Sequence, residues 1–364
     1  MPFTFTWSSR DTGYLMEVHN GGETLRIHEI NVRDDSVRMR MPIFESYISG
    51  TFDETHIRGS FITESRGREV PFEAVWGDLP QFALTRDPMA DVSGVWEVLF
   101  GPGTEEQDPA RGLFKQQGHR VTGTFQTPTG DYRYLDGVMD GDSLKLSTFD
   151  GAHAYLFLSR ITDSMMDGMY YSGNHFKQPF SGLRNAAYQL PDADTQTNLL
   201  KGQYLQFSFP DNHGEMRSLD DPGFQNKVVV VQLMGTWCPN CLDETRFLVD
   251  YLHRHQGEDL RVVALAFEYA KTEEKAFRAI DRLKQQVGVS YPVLLAQYGG
   301  ANKDAAHGKL PMLDEVTAYP TTLILDRQGL VRRIHTGFDG PATGAAYDRF
   351  RMEFDSLIQQ LLAE

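Results

Sequence analysis

A run of four valines, Val228–Val231, leads to Trp237-Cys238-Pro239-Asn240-Cys241, and from Asp243 onward the chain becomes charged and helix-like. An apolar run of this kind fits a strand buried on both faces, the mark of a parallel or mixed sheet covered by helices. Pro239 suits the first position of a helix, where its missing N–H costs nothing. The pattern therefore predicts a strand that delivers a Cys-x-x-Cys pair to an exposed helix start. There the partial positive charge and the unpaired N–H groups favour a thiolate over a thiol. Two intervening residues let the second sulfur reach the first.

These are the only 2 cysteines among 364 residues. No second pair can complete a four-ligand zinc site, and Leu242 stands where a c-type haem motif needs histidine. No structural disulfide framework is available either. Close thiols with nothing else to pair with predict redox chemistry and no metal or cofactor. The plainer readings are an inert buried pair and a metal half-site shared across a dimer. His153, His175 and His307 lack metal-ligand spacing and read as surface residues.

A net charge of −15 argues against nucleic acid as a partner, because phosphate binding needs clustered Lys and Arg. No apolar run reaches the roughly 18 residues of a membrane span. The start, Met1-Pro2-Phe3-Thr4-Phe5, has neither the basic segment nor the apolar core of a secretion signal. The expectation is a cytosolic chain or an exported one whose leader has been removed.

Residues 1–188 read as all-β. Alternating runs such as Val37-Arg38-Met39-Arg40-Met41 and Tyr155-Leu156-Phe157-Leu158 lie between turns such as Asn20-Gly21-Gly22 and Asp140-Gly141-Asp142. Three echoes recur at an offset of 107 to 109 residues: 35–39 with 142–146, 57–61 with 166–170, and 70–72 with 178–180. An internally duplicated barrel or sandwich follows. Tyr132, Tyr134, Phe149, Tyr155, Phe157, Tyr170, Tyr171 and Phe176 read as its core rather than a ligand pocket. A polar linker over 189–199 precedes a change of pattern. From 200 to 364 strands and helices alternate, with helices expected over 239–255 and 273–287, a strand over 292–295, and a last helix carrying Tyr347, Phe350, Phe354, Leu357, Ile358 and Leu361 at three-to-four spacing. This order predicts an α/β domain with a mixed central sheet.

Three motifs in order, Gly235-Thr236-Trp237-Cys238-Pro239-Asn240-Cys241, Ala318-Tyr319-Pro320-Thr321-Thr322 and Gly337-Phe338, resemble those of the TlpA/ResA-like thioredoxin-fold thiol–disulfide oxidoreductases. The resemblance implies a thioredoxin fold over 200–364. It implies Cys238 as the attacking cysteine, Cys241 as the resolving one, and a cis-proline loop at Tyr319-Pro320. Trp237, Pro239, Asn240, Tyr319 and Pro320 would face the substrate. Thioredoxins proper hold a buried carboxylate six residues before the first cysteine, where this chain has Gln232. Relatives of the TlpA type often carry a glutamate three residues after the second, where Glu244 stands. Glu244 shares a helix face with Cys241 and is expected to handle its proton, the plainer reading being a solvated first-turn carboxylate. Glu268 is a second candidate. Met312 and Leu313 read as either an apolar docking rim or core.

The function these observations imply is reduction or isomerisation of protein disulfides in the periplasm or another exported location, with disulfide-containing proteins and an unidentified thiol donor as partners. Residues 1–188 would recruit substrate or form an oligomer. The rivals are a peroxiredoxin-like peroxidase, for which Thr236 is too close to the cysteine, and a redox-inactive scaffold.

Overall fold

The structure, a computed structural model, describes residues 1–11, 13–105 and 107–364, with the backbone alone at 303–305. Contacts divide it into two compact units, Met1–Thr127 with Asp131–Leu190, and Pro128–Gly130 with Pro191–Glu364. Residues 191–199, read as part of a linker, thus belong to the second unit.

In the first unit, eight antiparallel strands close into a barrel. Gly94–Phe100, Asp108–Gln117, Arg120–Thr127, Leu135–Asp140, Ser143–Phe149, Ala154–Ile161, Met165–Ser172 and Phe176–Arg184 each pair with the next, and the last pairs with the first. Alternation along each strand sends every second side chain inward, and an eight-stranded barrel is just wide enough for such side chains to fill. Phe100, Phe125, Phe157 and Phe180 are fully buried. The Phe125 ring lies 4.7 Å from Phe157, and Phe157 stacks on Tyr170 at 4.7 Å. Tyr132 joins the same cluster, 5.3 Å from Tyr170. Four of the aromatics expected in the core lie outside this cluster: Phe176 is 44% exposed, Tyr134 and Tyr171 are half-buried, and buried Phe149 packs on Phe3 and Phe61.

The echoed segments fall on equivalent strands. Ser36–Arg40, His56–Thr63 and Arg68–Val75 match Ser143–Phe149, Met165–Ser172 and Phe176–Arg184. The first copy does not close. It divides at His28 into a three-stranded sheet, Thr4–Arg10, Gly13–Asn20 and Glu23–Ile27, and a five-stranded sheet from Glu29 to Val75. Among the described residues Thr4–Arg10 does not pair with Arg68–Val75, whereas their counterparts Gly94–Phe100 and Phe176–Arg184 pair and close the second copy. Aromatic rings fill the inner side instead, with Phe3 stacked on Phe149 at 4.6 Å and 6.1 Å from Phe72.

Two histidines depart from the surface reading. The His153 side chain is only 14% exposed because it pairs with buried Asp150 at 3.4 Å, and His307 is half-buried in a short helix. His175 is exposed.

The second unit has a five-stranded mixed sheet. Its strands are β1 (Val228–Met234), β2 (Leu260–Phe267), β3 (Val293–Gln297), β4 (Thr321–Leu325) and β5 (Val331–Thr336), in spatial order β3-β2-β1-β4-β5. β1, β2 and β3 run parallel, while β4 and β5 are antiparallel additions. Helices α1 (Pro239–Arg254), α2 (Glu273–Val287), α3 (Lys303–Lys309) and α4 (Ala345–Ala363) complete the unit. Every residue of β1 is buried, as expected for a central strand with both faces covered. Val229, Val231 and Leu233 join one core with Val263, Leu265, Phe267 and Leu323.

Helix α2 matches its expected limits because both ends are marked. Thr272 caps the first turn by accepting from the Lys275 N–H, and Gly288, at φ 78°, ends the last. It buries Ala276, Ala279, Ile280 and Leu283, while Phe277 and Val287 are half-buried. Leu313 lies in the core, and Met312 packs against it instead of forming a rim.

Replacing Phe125 by Ala should cost about 3–5 kcal/mol, the usual penalty for a large aromatic lost from a packed core. Denaturant unfolding followed by near-UV circular dichroism measures this. A loss under about 1 kcal/mol would mean that the barrel interior is loosely filled.

Candidate active site

The site is built where β1 hands the chain to α1. Gly235 is required there because a Cβ would lie 2.2 Å from the Trp237 indole nitrogen and 2.9 Å from the Phe267 carbonyl oxygen. Trp237 donates its indole N–H to that carbonyl at 2.9 Å. Its ring packs 4.7 Å from Tyr269 and edge-on to Tyr319 at 6.0 Å, forming an aromatic wall. The Glu268 carboxylate, 2% exposed, accepts from both the Thr236 N–H and the Thr236 hydroxyl at 2.8 Å. That bidentate grip holds the turn entering the motif. It also commits the Thr236 hydroxyl, which a peroxidase reading would want turned toward the cysteine.

Cys238 is the N-cap of α1, with β-region dihedrals, and Pro239 follows in the first turn. Its sulfur accepts from the Cys241 backbone N–H at 3.2 Å, taking the place of the oxygen in an ordinary cap. The same thiol reaches the Tyr319 carbonyl oxygen at 3.5 Å. The Tyr319–Pro320 bond is cis. Cys238 is only 6% exposed, so the helix start is less open than the motif alone implies; Tyr319 and the helix cap itself cover it. Both cysteines are free thiols, and Cys241 is completely buried one turn deeper. Burial pushes the Cys241 thiol well up, and the hydrogen bond and charge of Cys238 add to the effect.

Glu244 lies on the buried face of α1. One carboxylate oxygen accepts from the Thr322 hydroxyl at 2.7 Å and the other from the Gln232 amide at 2.8 Å. The Gln232 amide also reaches the Cys241 carbonyl at 3.4 Å, and Thr245 donates to the Gln232 carbonyl oxygen at 3.3 Å. Desolvation raises Glu244 to about 7 despite the two donors, which act in the opposite direction. A carboxylate poised near neutrality beside a buried thiol is suited to proton exchange.

The structure thus brings together Trp237, Cys238, Tyr319 and Pro320 around the attacking sulfur, with buried Cys241 one turn deeper on the helix that also carries Glu244. Pro239 and Asn240 occupy the first turn of α1, half-buried. Glu268 stands apart from the Glu244 cluster and grips Thr236. Sequence reasoning passes over Thr322 and Tyr269. Neither carries a sequence signal of its own, since the sheet register is what sets Thr322 beside Gln232. Among the described residues no group of three or more His, Cys, Asp or Glu side chains is arranged to hold a metal ion.

Residues 201–334 match the AhpC/TSA family. The thioredoxin-like protein YneN of Bacillus subtilis is 32% identical over 143 residues, which are 39% of this chain and 75% of that protein. The thiol-disulfide oxidoreductase ResA of Halalkalibacterium halodurans is 23% identical over 37% of this chain and 67% of its own length. The thiol:disulfide interchange protein DsbE of Escherichia coli is 28% identical, and the match spans 34% of this chain and 60% of DsbE. A solved thiol-disulfide oxidoreductase from Bacteroides fragilis aligns with 40% of this chain and 96% of its own at 14% identity and a TM-score of 0.30.

The folded chain holds a proton on Glu244 between about pH 4.5 and 7, where the unfolded chain has released it. This contribution to stability is complete below about pH 4.5 and is lost as pH rises through 7; it is on the order of 3 kcal/mol. Glu244→Gln should therefore flatten the fall in melting temperature between pH 5 and pH 8. Equal falls in the two proteins would show that Glu244 is not the group responsible.

YneN, 32% identical with 75% of its length covered, carries the assignment: through the region that holds the cysteines the chain belongs to the ResA-like thioredoxin-fold thiol–disulfide oxidoreductases.

Proposed function

We propose that the protein reduces or isomerises disulfides in other proteins. The observation that carries this reading is the stack of free Cys238, buried free Cys241 and Glu244 on successive turns of one helix. The Cys238 thiolate attacks one sulfur of a substrate disulfide. The substrate S–S bond breaks, a mixed disulfide forms, and the departing sulfur leaves as a thiolate that takes a proton from water. Cys241 then passes its proton to Glu244, and its thiolate attacks the Cys238 sulfur. The mixed disulfide breaks, the second substrate sulfur leaves as a thiolate, and a Cys238–Cys241 disulfide remains. Two electrons have moved from the dithiol to the substrate. A thiol donor returns the pair to the reduced state by the same exchange in reverse.

The Trp237–Tyr319 wall and the Pro239-Asn240 dipeptide flank the attacking sulfur, and we assign them to substrate contact. The cis-Pro320 loop presents backbone beside Cys238, which suits an extended substrate segment. The β unit takes no part in the chemistry, because its barrel is filled by aromatic side chains; recruitment of substrate or self-association is its role in this reading. Protein disulfides persist in oxidising compartments, so the proposed location is exported, with the periplasm as the representative case. No helix among the described residues is long and apolar enough to cross a membrane.

Insulin reduction by dithiothreitol should be accelerated by the wild-type chain and not by Cys238→Ser. Cys241→Ser should accumulate substrates as mixed disulfides that reductant releases. Equal capture by Cys238→Ser and Cys241→Ser would reverse the roles given to the two thiols. No rate above background for the wild type would remove the oxidoreductase reading.

A further inference from the structure

The second unit contains a charged cluster that the exchange steps leave unused. Asp194, in the 3-10 turn Ala193–Thr195, accepts from His335 Nδ1 at 2.7 Å through one oxygen and from Arg333 Nε at 2.7 Å through the other. His335 and Arg333 sit on β5, whose sheet-edge position lets the Asp194 segment reach them. The His335 side chain is only 13% exposed, with its ring 5.1 Å from Phe350 of α4. Two further hydroxyl contacts seat the segment, Thr336 to Thr197 at 3.1 Å and Thr197 to Thr317 at 3.2 Å.

His335 stands directly across the β4–β5 ladder from Thr322. Directly opposed residues of an antiparallel pair project to the same face with Cβ atoms about 5 Å apart. Thr322 is the residue whose hydroxyl donates to Glu244 at 2.7 Å. Asp194 is hydrogen-bonded to His335, the ladder register sets His335 opposite Thr322, and Thr322 is hydrogen-bonded to Glu244 beneath Cys241. Five groups face or flank the imidazole, of which Asp194 and Phe350 touch it. These are Asp194 from the 3-10 turn, Arg333 from its own strand, Thr322 from β4, Phe350 from α4 and, beyond Thr322, Glu244 from α1. Arg333 is itself shared between Asp194 and Glu353 of α4, at 3.2 Å from the latter. The charge of His335 acts on Glu244 in the direction that favours its ionised form.

We propose that His335, held in place by Asp194, is a positioning residue for Glu244 and sets the pH range in which Glu244 accepts the proton of Cys241. The inference rests on Glu244 as the base for Cys241. His335 touches neither sulfur, so its influence is confined to the resolving step. Attack by Cys238 is independent of it. Asp194 lies outside the strands and helices of the second unit, so seating this short segment is coupled to the reactivity of a thiol buried on the far side of β4.

The test separates the two sulfur steps in the full-length reduced protein. 5,5′-Dithiobis(2-nitrobenzoate) is a disulfide whose attack by Cys238 releases one coloured thiolate, and whose displacement by Cys241 releases the second. Stopped-flow absorbance from pH 5.5 to 9 resolves the two phases. The wild-type second phase should rise with a midpoint near 7, following Glu244. His335→Gln should move that midpoint up by about one unit, slowing the second phase roughly tenfold at pH 6. The first phase should be unchanged. Asp194→Asn should act in the same direction, and His335→Lys, which puts a cation at this position, should not raise the midpoint. If His335→Gln does not fold, judged by its melting curve, the half-exposed Asp194→Asn decides alone. Second-phase profiles of the foldable variants that superpose on wild type, while Glu244→Gln abolishes the midpoint, overturn this inference and leave Glu244 as the base. A Glu244→Gln profile that matches wild type overturns the base reading and this inference with it.

Discussion

The buried carboxylate of Glu244 is the constraint around which the second unit is arranged. An ionised carboxylate in an apolar interior is costly unless hydrogen bonds compensate, and here two neutral donors converge on it from different strands. Gln232 comes from the central β1 and Thr322 from its antiparallel neighbour β4. Gln232 is therefore the one polar side chain tolerated in an otherwise apolar strand, and Thr245 orients it from α1. The compensation is partial. Two neutral hydrogen bonds leave Glu244 near 7 and not in the ordinary carboxylate range. Stability is thus given up at neutral pH for a group able to gain or lose a proton there.

A single helical turn separates the environments of the two sulfurs. Cys238 is the cap, where its sulfur meets the helix N–H groups and the polypeptide around the cis-Pro320 loop. Cys241 has entered the helix proper and lost contact with water, which favours its protonated form. In the proposed exchange the same Cys-x-x-Cys spacing supplies one thiol for attack and one held in reserve until a proton acceptor is available. Glu244, three residues further along, continues the progression inward.

The strand–motif–helix junction is legible in the sequence because each part carries its own local signal: the valine run, the proline at the helix start and the two cysteines. Helix α2 is legible for the same reason, through Thr272 and Gly288 at its ends. Barrel against sandwich is not legible, since both use the same alternation, and closure depends on pairing Gly94–Phe100 with two strands far apart in sequence. The open first copy is similarly hidden, because an unmade pairing between Thr4–Arg10 and Arg68–Val75 leaves no mark on either strand. Within the site, the position of Glu244 follows from helical spacing. Its partners come from other strands, with Thr322 lying 78 residues away in sequence, and only the sheet register reveals them.

Gln232 is best understood by what a second carboxylate would do there. An acid at that position, as in thioredoxins proper, would sit within hydrogen-bond distance of Glu244. Two carboxylates sharing a site cannot both ionise, and their titrations become coupled. The amide avoids this. It donates to Glu244 through its nitrogen and accepts from Thr245 through its oxygen, so neither end is left unsatisfied in the interior. Compared with thioredoxin, the acid has moved from the strand beneath the motif to the helix that carries it. In the proposed exchange Glu244, with no second acid at position 232, receives the proton that leaves Cys241.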